Sequence, residues 1–256
     1  MARVLVTGSA DGLGLISAEI LADQGHQVTL HARSESRAAE AKKQLPKAEH
    51  VVIGDFSTLA GMRKVVAQAN AIGTYDAVIH NAGVGYHLPK AVPTEDGLEQ
   101  TFAINVLAPY VLTAEMMKPA RLIYLTSGMH RGGDPDLSDL QWKSRRWNGT
   151  QAYSDSKLFD VVLAFAVARK VPTIFSNAVH PGWVATKMGG RGAPDDKHLG
   201  GLTQAWLATS DDAAAKVTGK YFFHQKQEAP HAAAHNEKLQ DALLAYCAEV
   251  SGAKLG

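Results

Sequence analysis

The chain has 256 residues, 46% of them hydrophobic and 20% charged, enough apolar material for one sizeable core or two small ones. Its 26 Lys and Arg balance 25 Asp and Glu, so no overall field draws it to nucleic acid or an anionic membrane. That composition excludes a disordered tail, a collagen-like fibre and a disulfide-stapled miniprotein, and the single Cys247 points to a reducing compartment.

Met1-Ala2-Arg3 runs straight into an apolar segment, without the pattern of a secretion signal. The longest apolar tract, Leu158 to Val167, is interrupted by Asp160 and falls short of the roughly 18 residues a spanning helix needs. A soluble, cytoplasmic protein is expected. Val4–Val6 reads as a first strand and Leu13–Asp23 as the helix after it. Strand Gln27–His31, helix Glu35–Leu45, strand His50–Ile53 and helix Leu59–Ala71 repeat the alternation. Strands follow at Ala77–His80, Leu122–Leu125 and Thr173–Val179, with helices near Leu98–Met117 and Gln151–Arg169 between them. Lys220–Phe223 reads as a last strand before a helix near Lys238–Val250.

Strands apolar on both faces, separated by helix-length segments, predict a parallel sheet covered on both sides. This is a doubly wound α/β architecture, with ligands bound at the carboxyl ends of the strands. No linker, repeat or low-complexity tract divides the chain, so residues 1–256 are expected to form a single domain. Gly128–Gly149 and Gly182–Gly201 read as insertions overhanging the binding edge.

Between the first strand and first helix stands Thr7-Gly8-Ser9-Ala10-Asp11-Gly12-Leu13-Gly14. Its Gly-x-x-x-Gly-x-Gly spacing is neither G-x-G-x-x-G nor a P-loop. A glycine cluster alone can be a plain turn; in this position it lets a pyrophosphate approach a helix N-terminus. The second strand ends His31-Ala32-Arg33-Ser34, with no acid to bind ribose hydroxyls. Arg33 could pair with a 2′-phosphate, or could merely end a surface loop. Asp11 would repel that phosphate. The balance predicts NADP(H), with NAD(H) as the alternative.

Tyr153 and Lys157 lie at i and i+4, on one helical face. A phenol titrates at about 10, and a nearby ammonium favours its phenolate. Ser127, just past the strand Leu122–Leu125, could bond a substrate oxygen.

With these residues the chain resembles the short-chain dehydrogenase/reductase family. The Thr7–Gly14 loop, Asp55, Asn81-Ala82-Gly83, Asn105, Ser127, Tyr153, Lys157 and Pro181-Gly182 with Thr186 match its motifs in order. The resemblance implies a Rossmann-like fold and a catalytic set of Asn105, Ser127, Tyr153 and Lys157. It implies cofactor contacts from Gly8, Ser9, Asp11, Gly12, Leu13, Gly14, Arg33 and Ser34. Asp55, Phe56, Asn81, Ala82, Gly83, Pro181, Gly182, Val184 and Thr186 would complete them, together with Tyr153 and Lys157. Gly219-Lys220-Tyr221-Phe222, Ser156-Lys157-Leu158 and the long interval after Ser127 are similar to the retinol-dehydrogenase-like branch, whose members mostly use NADP(H).

The implied reaction is hydride transfer between nicotinamide and a carbonyl or alcohol substrate. Tyr153 would act as general acid/base, Ser127 would orient the oxygen, and Lys157 would bind the ribose and lower the tyrosine pKa. Asn105 would hold a proton-relaying water. Many relatives self-associate through the Tyr153 helix and its neighbour, so a homodimer or homotetramer is expected. Two departures stand out: His80 replaces the family's usual asparagine, and Asp11 stands where NADP-dependent relatives carry a basic or neutral residue.

Trp142 and Trp147 could line a substrate lid or pin the loop, and Arg145 and Arg146 read as solvated. The eleven histidines, His231 and His235 included, show no convincing three-ligand spacing, so no metal site is expected. Cys247 reads as structural. A non-catalytic NADP(H) sensor or scaffold is the alternative function, and an epimerase-like or lyase-like relative a third.

Overall fold

The computed structural model describes residues 1–255. Strand β1 (Arg3–Val6), helix α1 (Gly12–Asp23), β2 (Gln27–Ala32), α2 (Glu35–Gln44), β3 (His50–Ile53) and α3 (Leu59–Ile72) form the first half. After β4 (Ala77–His80) come α4 (Gln100–Phe102), a π-helical turn at Ala103–Leu107, and α5 (Ala108–Glu115). Then follow β5 (Arg121–Leu125), α6 (Gly149–Lys170), β6 (Phe175–His180), α7 (Lys197–Thr209), β7 (Lys220–Phe223), β8 (Lys226–Glu228) and α8 (Glu237–Ser251). The strands form one sheet in the order β3-β2-β1-β4-β5-β6-β7-β8. The first seven run parallel; β8 returns antiparallel to β7.

Each face of the sheet carries an apolar layer. Val4, Val6, Leu30 and Ile79 pack towards α1, α2 and α7, while Leu5, Val78, Leu122 and Tyr124 pack towards α3, α5, α6 and α8. The doubly wound architecture is as expected. Winding reverses between β1 and β4, which opens a crevice at their carboxyl ends.

Two elements differ from the sequence reading. The last five residues of the 182–201 insertion begin α7, whose Gly200 and Gly201 weaken its helical signal. Those glycines let α7 approach α1: a β-carbon on Gly201 would lie 2.6 Å from Ile16 Cγ2, and one on Gly200 2.8 Å from Leu13 Cδ2. The other is the β7–β8 hairpin, which turns on His224 and Gln225 at φ of 44° and 63°. No Asn-Gly or Asp-Gly announces that turn.

Helix α6 is enclosed all round. Every residue from Ala152 to Ala168 is buried. Leu243, Leu244 and Cys247 of α8 join Leu158, Val161, Val162 and Phe165 of α6 in one cluster. Arg169 binds Gln240 at 2.8 Å and Asp241 at 2.5 Å, tying α8 along α6.

Candidate active site

The glycine loop is shaped by left-handed turns at Gly8 (φ +62°) and Gly12 (φ +59°). It is bound to the segment after β4. Asn81 Nδ2 donates to the carbonyls of Thr7 (2.8 Å) and Gly8 (3.1 Å), and Thr7 Oγ1 accepts from the amides of Asn81 and Ala82, each at 3.0 Å. Gly14 must be glycine, because a β-carbon there would lie 2.4 Å from Asn81 Nδ2. His31 supports the loop from β2: its Nδ1 accepts from Gly8 N at 2.9 Å and its Nε2 bonds Gly54 O at 2.9 Å. Burial keeps this imidazole neutral, lowering its pKa to about 4.

The first turn of α1 has no side-chain cap, although Asp11 is its N-cap residue. The Asp11 carboxylate turns instead to Arg37 (2.6 Å) and Lys187 (2.7 Å). Burial opposes its ionisation, but the two cations outweigh this and hold the carboxyl below its usual range. The repulsion expected of Asp11 is therefore offset inside the fold. Thr186 faces the loop from across the crevice, with Cγ2 at 3.9 Å from where a Gly12 β-carbon would stand. An uncapped helix terminus flanked by glycines and cations fits a dinucleotide's phosphates.

The other expected contacts divide by depth. Arg33 and Asp55 are exposed at the ends of β2 and β3, and Ser34 caps α2. Ser9 and Phe56 lie behind the site. Ser9 is fully buried, with its hydroxyl donating to Val6 O, and Phe56 stacks on His31 at 4.2 Å. Leu13 is half-buried where α1 meets α7. Pro181 and Val184 are buried, while Gly182 turns at φ +94° above Asp195.

The catalytic candidates converge at the carboxyl edge beside this crevice. Ser127 caps the turn Gly128–Gly132, its hydroxyl accepting from Met129 N at 3.2 Å, and its side chain is near enough to Tyr153 to favour the phenolate. His130 Nδ1 holds the Ser127 carbonyl at 2.7 Å, and His180 Nδ1 accepts from Gly128 N at 3.1 Å. Tyr153 is 6% exposed, with Lys157 Nζ 5.9 Å from its ring centre. Lys157 Nζ donates to Leu125 O (2.8 Å) and to Asp160 (2.7 Å). Against the expectation from the Tyr–Lys spacing, the phenol's pKa is raised: burial outweighs the Lys157 ammonium.

Asn105 sits in the π-helical turn, a distortion common at functional sites. Its amide clamps Val84, accepting from N at 2.8 Å and donating to O at 3.1 Å, and also bonds Ser156 Oγ at 2.9 Å. The side chain is thus engaged with protein groups. Gly83 leaves room beside it: a β-carbon would lie 3.3 Å from Asn105 Oδ1 and 3.6 Å from Lys157 Nζ.

The chain matches the short chain dehydrogenase family over residues 2–129. An uncharacterized oxidoreductase of Emericella nidulans is 41% identical, covering 98% of each chain. This protein belongs to the short-chain dehydrogenase family. Human retinol dehydrogenase 13 is 29% identical over 97% of this short-chain dehydrogenase and 84% of its own length. Among solved structures, an uncharacterized protein from Mycobacterium paratuberculosis superposes with a TM-score of 0.86 at 23% identity, covering 100% of this chain and 95% of that one. A blue fluorescent protein from a metagenomic library, crystallised with NADPH, gives 0.70 at 24% identity, covering 87% and 95%.

Several contacts around the site of this short-chain dehydrogenase carry no mark in the sequence. Arg37 and Lys187 converge on Asp11 from separate elements. Met188 Sδ lies 3.7 Å from the Tyr153 hydroxyl, and Tyr86 packs 5.6 Å from the Tyr153 ring. Arg145, expected to be solvated, lies 3.8 Å from the Trp142 ring and pairs with Asp155 at 3.0 Å. Trp147 Nε1 donates to Leu88 O at 2.9 Å, so this part of the insertion is pinned to the body. His80 is packed inside, against Tyr124 and Thr113. Among the described residues no helix is long and apolar enough to cross a membrane.

Proposed function

We propose that the protein is an NADP(H)-preferring oxidoreductase acting on a carbonyl or alcohol substrate, with Tyr153 as general acid/base. The observation that carries this is the buried Tyr153, with Ser127 near enough to favour its phenolate and Lys157 Nζ 5.9 Å from its ring, at the mouth of the glycine-loop crevice. When bound, the nicotinamide supplies or accepts the hydride. Tyr153 then gives its proton to the substrate oxygen in reduction and recovers it in oxidation. Ser127 orients that oxygen, and its hydroxyl stabilises the charge that develops there. Lys157 holds positive charge near the phenol and is the residue that would reach the ribose. Tyr86 and Met188 present an apolar wall to the substrate.

Preference for NADP(H) is supported by exposed Arg33, by Ala32 in place of an acid, and by Arg37 beside an ionised Asp11 whose charge Arg37 and Lys187 compensate. The resemblance to the metagenomic protein solved with NADPH agrees with this reading. The expected self-association through α6 meets a face that α8 already covers, which supports a catalytic unit complete within one chain. A homodimer or homotetramer would use other surfaces. The single, buried Cys247 accords with cytoplasmic residence.

A fluorescence titration with NADPH and NADH, followed by a panel of ketones and aldehydes with the tighter cofactor, tests the assignment. Tighter NADPH binding and turnover that Tyr153→Phe abolishes are expected. Equal binding would refute the cofactor preference. Undiminished turnover by Tyr153→Phe would refute the acid/base role.

A further inference from the structure

Three residues beyond Lys157 on α6 stands a carboxylate that hydride transfer itself does not require. Asp160 is 2% exposed, and its Oδ2 accepts from Lys157 Nζ at 2.7 Å. Its chain neighbours Phe159, Val161 and Val162 are all buried apolar residues. A leucine would suit such a position, and an isolated buried carboxylate would be costly. What this carboxylate has for company is the ammonium that faces the acid/base tyrosine.

The surroundings contain little else that could answer its charge. On α6 the titratable neighbours are Lys157 and Tyr153. From β5 comes Tyr124, whose hydroxyl bonds Thr113 of α5 at 2.7 Å, and Thr113 in turn meets His80 of β4 at 3.2 Å. Burial keeps Tyr124 and His80 neutral, raising the phenol and lowering the imidazole to about 3. The local charge is therefore one cation and one anion in contact. Seen from the Tyr153 hydroxyl, the anion opposes part of the field that the ammonium exerts.

We propose that Asp160 is a positioning residue that tunes the Tyr153–Lys157 pair: its carboxylate holds the ammonium and offsets its charge, so Tyr153 stays a neutral proton donor further into alkaline pH. The proposal rests on Tyr153 being the general acid. It biases the site towards carbonyl reduction, because the reductive half of the cycle needs the protonated phenol and alcohol oxidation needs the phenolate. Burial also raises Asp160, to about 6, against the lowering effect of Lys157. Near and below that pH the carboxylate takes up a proton and the ammonium acts on the phenol unopposed.

The test compares pH profiles of carbonyl reduction by the full-length wild type, Asp160→Asn and Asp160→Glu with NADPH. Asparagine keeps an acceptor for Lys157 and removes the charge. Its alkaline limb is expected to move to lower pH by on the order of one unit. Glutamate restores the charge and is expected to return the limb towards the wild-type position. An ultraviolet titration of the phenols, taken as a difference from Tyr153→Phe, should show the same shift in resting Asp160→Asn. Should that variant fail to fold, Asp160→Ser removes the charge with a smaller side chain and reads the same limb. Superimposable profiles, or a loss of rate equal at every pH, would overturn the proposal. Those results leave Tyr153 as general acid intact, whereas full turnover by Tyr153→Phe removes that reading first.

Discussion

Two aspartates of this chain each meet a lysine at 2.7 Å, yet their titrations move in opposite directions. Asp11, at the cofactor crevice, has a side chain 42% exposed and a second cation in Arg37. Water and two positive charges together hold it ionised, below its usual range. Asp160 has a side chain 3% exposed and one cation, and burial raises it to about 6. Depth and the number of partners, rather than the contact distance, decide the sign. The outer pair shapes a binding surface, where screening by salt applies. The inner pair sits where it can alter the acidity of a reacting group.

The largest effect predicted is at the inner end. Tyr153→Phe is expected to lower kcat by about 10²–10⁴-fold, the range for losing a positioned general acid, with NADPH affinity nearly kept. Steady-state kinetics and the fluorescence titration separate the two quantities. A comparable loss of affinity would show that depth does not divide chemistry from binding here.

Acid stability tests the buried groups as a class. His31 and His80 titrate at about 4 and about 3 when folded, against about 6.5 when unfolded. Lowered folded values mean that the unfolded chain binds protons more readily. Their stabilisation is therefore complete above about pH 6.5 and is lost as pH falls towards 4 and 3. A loss of about 3 kcal/mol from His31 and about 5 kcal/mol from His80 is expected over those windows. Thermal melts between pH 7 and pH 4 would show it as a steep fall in Tm, and a flat profile would contradict it.

At the outer end the changes are smaller. Arg37→Ala removes a cation and uncovers Asp11, so NADPH is expected to bind roughly tenfold more weakly while NADH changes little. Adding Asp11→Asn should restore much of that loss. The smallest effect is that of Lys187→Ala, a change of about threefold or less in NADPH affinity that fades as salt is raised, because this lysine is 82% exposed. Titrations at two ionic strengths decide both.

The strands, the glycine loop and the Ser127–Tyr153–Lys157 set were legible because each carries a local signal. Apolar runs mark the strands, glycines sit where a turn must occur, and a helical spacing aligns the tyrosine with the lysine. Arg37 and Lys187 had no such mark, since they meet Asp11 only after α2 and the segment after β6 have folded back to the loop. Asp160 was visible merely as an interruption in an apolar tract, and its role depends on which side chain it faces. Helix α7 was obscured by the two glycines that let it pack so tightly. The lowering of the tyrosine pKa followed from counting the lysine and not the burial or the second charge.

The cover that α8 lays over α6 also orders events in time. A ribosome releases α6 well before α8, so the helix bearing Tyr153 and Lys157 emerges with an apolar flank that its own chain cannot yet close. Assembly of the reacting groups thus awaits the last helix of the fold, and chaperones have the interval between the two to engage that flank. Slowing translation after residue 170 would lengthen the exposure and lower the yield of active protein without altering a single contact in the finished molecule.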